Sequence, residues 1–309
     1  MPQTRGDRAL MEPTLVAPPA KTASLSDTVL TRRNFLWAAA GSAAGLAFYA
    51  GEIARHELEI VYVTIKLPGL PDAFAGMKVV QISDFHFQEY TEATFLEAVV
   101  RKVNALAPEL VVLTGDFVSK KPLPRHFAVK MSYHCAEILG RIECPLRFAI
   151  LGNHDVLVGS HVVTDALHTH GLPVLANSSV PLERNGQRIW LAGVKDALLQ
   201  RPDLDAALTA GRRPDREPVI LLSHEPDFAD HVVGRQVDLI LSGHTHGGQI
   251  LLPFLPPLFL PDMGIKYVHG LFRLRDGTQL YVNRGIGAVN LPFRFRCPPE
   301  ITVITLSQG

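Results

Sequence analysis

From Leu58 onward, short apolar runs alternate with stretches of helical period. The apolar runs are EIVYVTI (59–65), MKVVQIS (77–83), LVVLTG (110–115), RFAILG (147–152), RIWLAGV (188–194), PVILLS (218–223), VDLILSG (237–243), QLYVN (279–283) and ITVITL (301–306). All are rich in Val, Ile and Leu, and several are apolar throughout, which predicts strands covered on both faces. Helical period predicts helices over 92–106 and 124–141, and weaker ones near 159–169, 203–210 and 226–232. Thr91 suits the first as N-cap and Pro108 as stop. Strands interleaved with helices predict a layered α/β architecture. No repeat or low-complexity block follows residue 50.

The N-terminal residues differ in kind. Residues 1–30 are rich in Pro, Ala, Ser, Thr and charge without apolar period, which predicts a disordered tail; Met11 is an alternative start. Arg32 and Arg33 then precede a charge-free run from Asn34 to Gly51, the layout of a basic region followed by an apolar targeting segment. The string TRRNFL (31–36) resembles a twin-arginine (Tat) signal, the bacterial export route for folded proteins. Cleavage after Ala47 leaves Gly45 at the third site back, whereas cleavage after Ala50 leaves Phe48 there. Residues 31–51 therefore read as a signal or an uncleaved membrane anchor, with the arginines on the cytoplasmic side and the domain at 52–309 outside.

Composition narrows the choices. The chain has 309 residues, 47% of them hydrophobic, enough for a sizeable core. Lys plus Arg and Asp plus Glu both number 30, and nucleic-acid binders usually carry a basic excess, so no nucleic-acid partner is expected. Three cysteines, Cys135, Cys144 and Cys297, form neither a disulfide framework nor a CxxC zinc signature.

The chemistry lies at the ends of the predicted strands. MKVVQIS is followed by Asp84 and His86, LVVLTG by Asp116, and RFAILG by Asn153, His154 and Asp155. PVILLS is followed by His224, and VDLILSG by His244 and His246. A lone Asp there is usually a turn or helix cap. Five strand ends that all deliver His, Asp or Asn point instead to a site beyond the carboxyl ends of a sheet. His244 and His246 sit two apart between glycines, so an extended backbone puts both imidazoles on one face, as a pair of metal ligands.

The strings DFH (84–86), GDF (115–117), GNHD (152–155), SHEP (223–226) and GHTH (243–246) resemble the five motifs of the calcineurin-like metallophosphoesterases, in order. The resemblance implies a four-layer α-β-β-α sandwich of two mixed sheets flanked by helices. It also implies a cofactor of two divalent ions, of Mn, Zn, Fe, Co or Ni. Asp84, His86 and His246 then hold the first, Asn153, His224 and His244 the second, and Asp116 bridges both. The shared water loses its proton near neutral pH and becomes the nucleophile. His154 is implied as general acid or stabiliser of transition-state charge, and Asp155 as the group that orients its ring, a helix cap or turn contact being the alternative for Asp155. The segment YVNRGIGAVNLPFRFRCPPEITVITL (281–306) is similar to the exported, membrane-associated branch that includes enzymes like UDP-2,3-diacylglucosamine pyrophosphatases.

One departure shapes the expected substrate. Protein phosphatases of this superfamily follow the bridging Asp with xVDRG and clamp a phosphomonoester with arginines, whereas Asp116 is followed by FVSKK. A diester or pyrophosphate is the better expectation, with Arg284 as a candidate phosphate contact or a structural pair. The run LLPFLPPLFLPDMG (251–264) is apolar, and its prolines exclude a regular helix or central strand. An exposed apolar loop there predicts a lipid-linked substrate and membrane association; a loop folded onto the core is the alternative. The leading expectation is an exported phosphodiesterase or pyrophosphatase. A catalytically inactive metal-binding scaffold and a nuclease are the alternatives.

Overall fold

The computed structural model describes residues 31–120, 124–209 and 217–309. The tail predicted over 1–30 and Lys121 lie outside the described residues. The chain divides into two units, Met1–Ala43 and Ala44–Gly309.

The larger unit contains two mixed sheets. The first runs β1 (Glu59–Leu67), β11 (Glu300–Gln308), β2 (Lys78–Ile82), β3 (Leu110–Leu113), β4 (Arg147–Ala149). The second runs β5 (Ser178–Arg184), β6 (Gln187–Gly193), β7 (Val219–Leu222), β8 (Leu239–Ser242), β10 (Gln279–Val282), β9 (Gly270–Arg273). Strands β2–β4 are parallel to one another, as are β6, β7, β8 and β10.

Alternating side chains explain the layers. In β3, Leu110 and Val112 face the core between the sheets, while Val111 and Leu113 face the helices α2 (Ala93–Ala105), α3 (Arg125–Leu139) and α4 (Asn153–Thr169). In β7, Ile220 and Leu222 face the same central core, while Val219 and Leu221 face α5 (Leu204–Thr209) and α6 (Ala229–Val232). β3 and β7 are thus buried on both sides, as their unbroken apolar runs require, whereas β1, expected to be covered on both faces, edges the first sheet and leaves Tyr62 and Thr64 exposed. The result is the α-β-β-α sandwich expected above.

Three further elements differ from the sequence expectation. β5 and β9 edge the second sheet, and neither has an apolar run: β5 carries Pro181, Glu183 and Arg184. Polar side chains and proline belong on edges, where half the backbone groups need no partner. α4 begins at Asn153, with Gly159 (φ 138°) breaking its regularity, so the sequence period emerges only beyond that glycine.

The packed unit also starts before residue 52. Ala50 and Gly51 are buried, and the Ala50 carbonyl accepts the Arg294 amide at 3.0 Å. Upstream, α1 (Arg32–Phe48) is charge-free after Arg33 and has no buried residue. No helix among the described residues is long and apolar enough to cross a membrane.

Candidate metal centre

Strand register builds the site. β2 and β3 pair Ile82 with Leu113, so the chains leave the sheet side by side. The Asp84 amide then donates to the Gly115 carbonyl at 2.9 Å, and the Phe85 amide to the Asp116 carbonyl at 2.8 Å. From the second sheet, β7 and β8 deliver His224 and His244, and the Gly243 amide donates to the His224 carbonyl at 3.1 Å. The sheets meet where both Asp84 carboxylate oxygens accept the His244 amide at 3.0 Å.

The exits are sharp. Asp84, His86, Asp116, His244 and His246 all have positive φ, between 42° and 73°. Such backbone costs on the order of 1–3 kcal/mol per residue and persists where surrounding structure holds it, most often at functional sites. Two glycines make room for the carboxylates. A Cβ on Gly152 would stand 2.3 Å from Asp116 Oδ1, and one on Gly243 would stand 2.3 Å from Asp84 Oδ2.

Seven side chains converge. Asp84, His86 and His246 form one group whose N and O atoms lie within 4.8 Å of one another, and Asp116, His224 and His244 form another. Asp116 Oδ2 lies between them, 3.5 Å from His86 Nε2 and 3.2 Å from His224 Nε2. Asn153 lines the same cavity, and its Oδ1 is buried without a hydrogen-bond partner. His244 and His246 therefore enter different groups, not one face. The reason is the left-handed backbone at both residues, where the sequence reading assumed an extended one.

Proton positions show what the rings can bind. His224 Nδ1 is 2.6 Å from the Thr114 carbonyl, which can only accept. Nδ1 therefore carries a proton, and Nε2, 3.2 Å from Asp116 Oδ2, is the nitrogen open to a metal. In the same way the Asp262 carbonyl takes His244 Nε2 at 2.8 Å, and the Gly287 carbonyl faces His246 Nδ1 at 3.3 Å. His246 Nδ1 also has the Arg294 Nη2 donor at 3.5 Å, and its Nε2 lies 3.0 Å from His86 Nε2. Lone pairs and carboxylates that converge out of water require cations between them.

Protonation follows the same logic. Burial drives His86 and His246 well below the usual imidazole range, and burial together with His224 brings His244 down to about 4. Burial lifts Asp84 to about 6 against the pull of His224. Burial would also lift Asp116, but His224 and His154 hold it well below the carboxylate range. His224 is opposite: burial disfavours its charge, yet Asp116 and Asp84 raise it well above 6.5. Without a metal, this one ring supplies the positive charge the carboxylates demand. Neutral imidazoles, an orphaned amide oxygen and a shared carboxylate fit divalent ions of the borderline transition series.

The remaining candidates divide. His154 lines the cavity, its ring edge-on to His86 at 4.7 Å between centroids, and its Nδ1 is buried without a partner. Asp155 is placed otherwise than as an orienter of that ring. Its carboxylate accepts the amides of Asp116 (2.8 Å), Phe117 (2.9 Å), Gly152 (3.0 Å) and Val118 (3.3 Å). As the third residue of α4, it points back to the loop after β3 and clamps the two loops together. Arg284 is likewise structural: it pairs with Glu300 and, at 2.7 Å, with Glu59. Lys120 is exposed.

The cavity above the histidines measures about 480 Å³. Its floor is His86, Asp116 and Asn153, and its lip includes Phe259, Leu260 and Leu291. Phe254 (104% exposed) and Phe259 (72%) project into solvent from the proline-rich loop. Sequence reasoning missed Gln249, whose side chain takes the Val289 amide and carbonyl and so holds the opposite wall. No motif signalled it apart from its place after GHTHGG.

Comparison with known proteins agrees with this geometry. The profile described as calcineurin-like phosphoesterase matches residues 77–248. The chain is 36% identical to the metallophosphoesterase YkuE of Bacillus subtilis, over 90% of this chain and 98% of the relative. It is 27% identical to the phosphodiesterase YaeI of Escherichia coli, over 90% and 100%. It is 30% identical to the UDP-2,3-diacylglucosamine pyrophosphatase LpxG of Chlamydia trachomatis, over 81% and 91%.

Proposed function

The chain belongs to the calcineurin-like phosphoesterase family, and we propose that it hydrolyses a phosphodiester or pyrophosphate bond in a lipid-linked substrate outside the cytoplasm. The observation that carries this reading is the cavity itself. It joins a floor of metal-binding groups to an apolar lip, so one amphiphile would satisfy both ends. Two relatives carry names for the same bond types, a phosphodiesterase and a pyrophosphatase of a diacylated sugar nucleotide.

In this reading Asp84, His86 and His246 would hold one divalent ion, Asn153, His224 and His244 the other, and Asp116 would serve both. When bound, the ions neutralise phosphate charge and activate a water at neutral pH. The protein's own groups do the rest. His154 presents an unpartnered ring nitrogen at the cavity wall and protonates the leaving oxygen or steadies its charge. Phe259, Leu260 and Leu291 bind the chain of the substrate and exclude water. Among the described residues no arginine lines the cavity floor to clamp a monoester, and Arg284 is committed to Glu300 and Glu59. Arg32 and Arg33, at the start of an apolar helix with no buried residue, support Tat export and a position at the extracytoplasmic membrane face.

The test is turnover by full-length protein reconstituted with Mn²⁺, on phosphomonoesters, phosphodiesters and nucleotide-linked diacyl lipids. Diesters or pyrophosphates should be cleaved well above monoesters, and acylated ones best. Two bound ions with no turnover on any of them would make the domain a scaffold. Digestion of oligonucleotides in preference to lipids would make it a nuclease.

A further inference from the structure

The largest fully buried side chain among the described residues is charged: Arg294. It lies outside the five motifs and follows the string NRGIG (283–287), which leaves the end of β10. Burying a guanidinium is costly unless well-placed hydrogen bonds satisfy it. The acceptors here are backbone carbonyls. Nε donates to the Gly287 carbonyl at 3.1 Å and Nη1 to the Cys297 carbonyl at 3.1 Å. Nη2 donates to the carbonyls of Arg284 at 2.8 Å, Gly285 at 3.2 Å and Gly287. One planar fork therefore ties two stretches of chain together, residues 284–287 and the chain at Cys297.

Those two stretches press on ligands of the first metal group from behind. The Ile286 amide donates to the Ser83 carbonyl at 2.8 Å, and the Gly287 amide to the Asp84 carbonyl at 2.7 Å. So close an approach leaves no room for side chains. A Cβ on Gly285 would stand 2.7 Å from Asp84 Cβ, and one on Gly287 would stand 2.2 Å from the Phe85 carbonyl oxygen. On the other stretch, the Cys297 thiol donates to the His246 carbonyl at 3.2 Å. Gly247 is wedged between the two: a Cβ there would meet Cys297 Sγ at 2.7 Å and Arg284 Cγ at 2.8 Å. The ligands of the second group are held from elsewhere, His224 by the Thr114 carbonyl and His244 by the Asp262 carbonyl.

We propose that Arg294 is a positioning residue whose buried fork locks the β10 exit loop behind Asp84 and His246 and so sets the affinity of one of the two metal positions. The proposal rests on the metal reading of the site and is independent of the substrate. Arg294 does not line the cavity, so it acts through the backbone that it gathers. Outer partners of metal ligands typically contribute 10–100-fold to affinity. A lysine at this place keeps the charge but offers a single nitrogen, which cannot replace three nitrogens bonded to carbonyls on both stretches.

The experiment is calorimetric titration of Mn²⁺ into metal-free full-length protein, as wild type, Arg294→Lys and Arg294→Met, well below each melting temperature. Both variants should weaken the same one of two binding events by about 10–100-fold and spare the other. Hydrogen exchange at the Ile286 and Gly287 amides should quicken in both. A lowered melting temperature with both affinities unchanged would make Arg294 a stability residue and overturn the proposal. Equal loss in both events would show general loosening and overturn it as well. Full affinity in Arg294→Lys alone would make charge, not the fork, the cause and overturn the locking argument. If neither variant folds, Arg294 belongs to the fold and not to the metal position. Wild-type protein that takes up no ion would overturn the metal reading itself, a result distinct from all of these.

Discussion

His154 and Asp155 are sequence neighbours whose side chains serve opposite ends of the site. His154 reaches the cavity with an unpartnered nitrogen, whereas Asp155 spends its oxygens on four backbone amides. His154→Ala should keep both metals and lose roughly 10²–10⁴ in rate, the usual size of general-acid catalysis. Steady-state kinetics should show a smaller loss on nitrophenyl substrates, whose leaving group needs little protonation. An equal loss on all leaving groups would favour charge stabilisation. Asp155→Ala strips the acceptor from buried amides that each cost about 1–3 kcal/mol when unsatisfied. Denaturant unfolding should show a loss of at least about 3 kcal/mol, even with water partly filling the gap. Unchanged stability with an altered pH–rate profile would restore Asp155 as the orienter of His154.

At the scale of elements, the loop from Leu251 to Gly264 meets the criterion that sequence could only pose. Phe254, Leu255, Leu258 and Phe259 are exposed, and Leu260 turns toward the cavity. Changing those four to Ser should leave the melting temperature nearly unchanged, since surface substitutions usually shift stability by less than about 0.5 kcal/mol each. Hydrolysis of a small soluble diester should survive, while turnover of an acylated substrate and liposome flotation should fall. Each side chain buried in lipid is worth on the order of 1.5–3 kcal/mol, so the combined loss is measurable. Equal loss on both substrates would detach the loop from lipid. The edge strands β5 and β9 show the converse case: real elements that hydrophobic period did not signal, because an edge needs only one packed face.

At the scale of the whole molecule, a folded, metal-binding domain follows a segment with two arginines and an apolar helix. On the proposed Tat route the domain would fold around its metals before export. The Arg32→Lys/Arg33→Lys variant should accumulate in the cytoplasm, as cell fractionation and activity would show. Undiminished activity outside the inner membrane would point to another route. The order of the chain also divides the labour. β2, β3 and β4 present Asp84, His86, Asp116 and Asn153 from one sheet, and β7 and β8 present His224, His244 and His246 from the other. Any change that slides one sheet on the other would therefore separate the ligands.

The sequence by itself determined the strands buried on both faces and the residues that follow them. Apolar runs and motif spacing are local, and a parallel strand covered on both sides has little choice of pattern. It also determined which residue types meet, since Asp84, His86, Asp116, Asn153, His154, His224, His244 and His246 all border one place. Tertiary structure decided how they meet. The separation of His244 from His246 depends on positive φ at both, held by contacts such as the Asp84 carboxylate on an amide 160 residues away. The diversion of Asp155 to the loop after β3 and the commitment of Arg284 to Glu59 and Glu300 are likewise partnerships across the fold. A side chain's residue type states what it can donate or accept; only the packed chain supplies the partner.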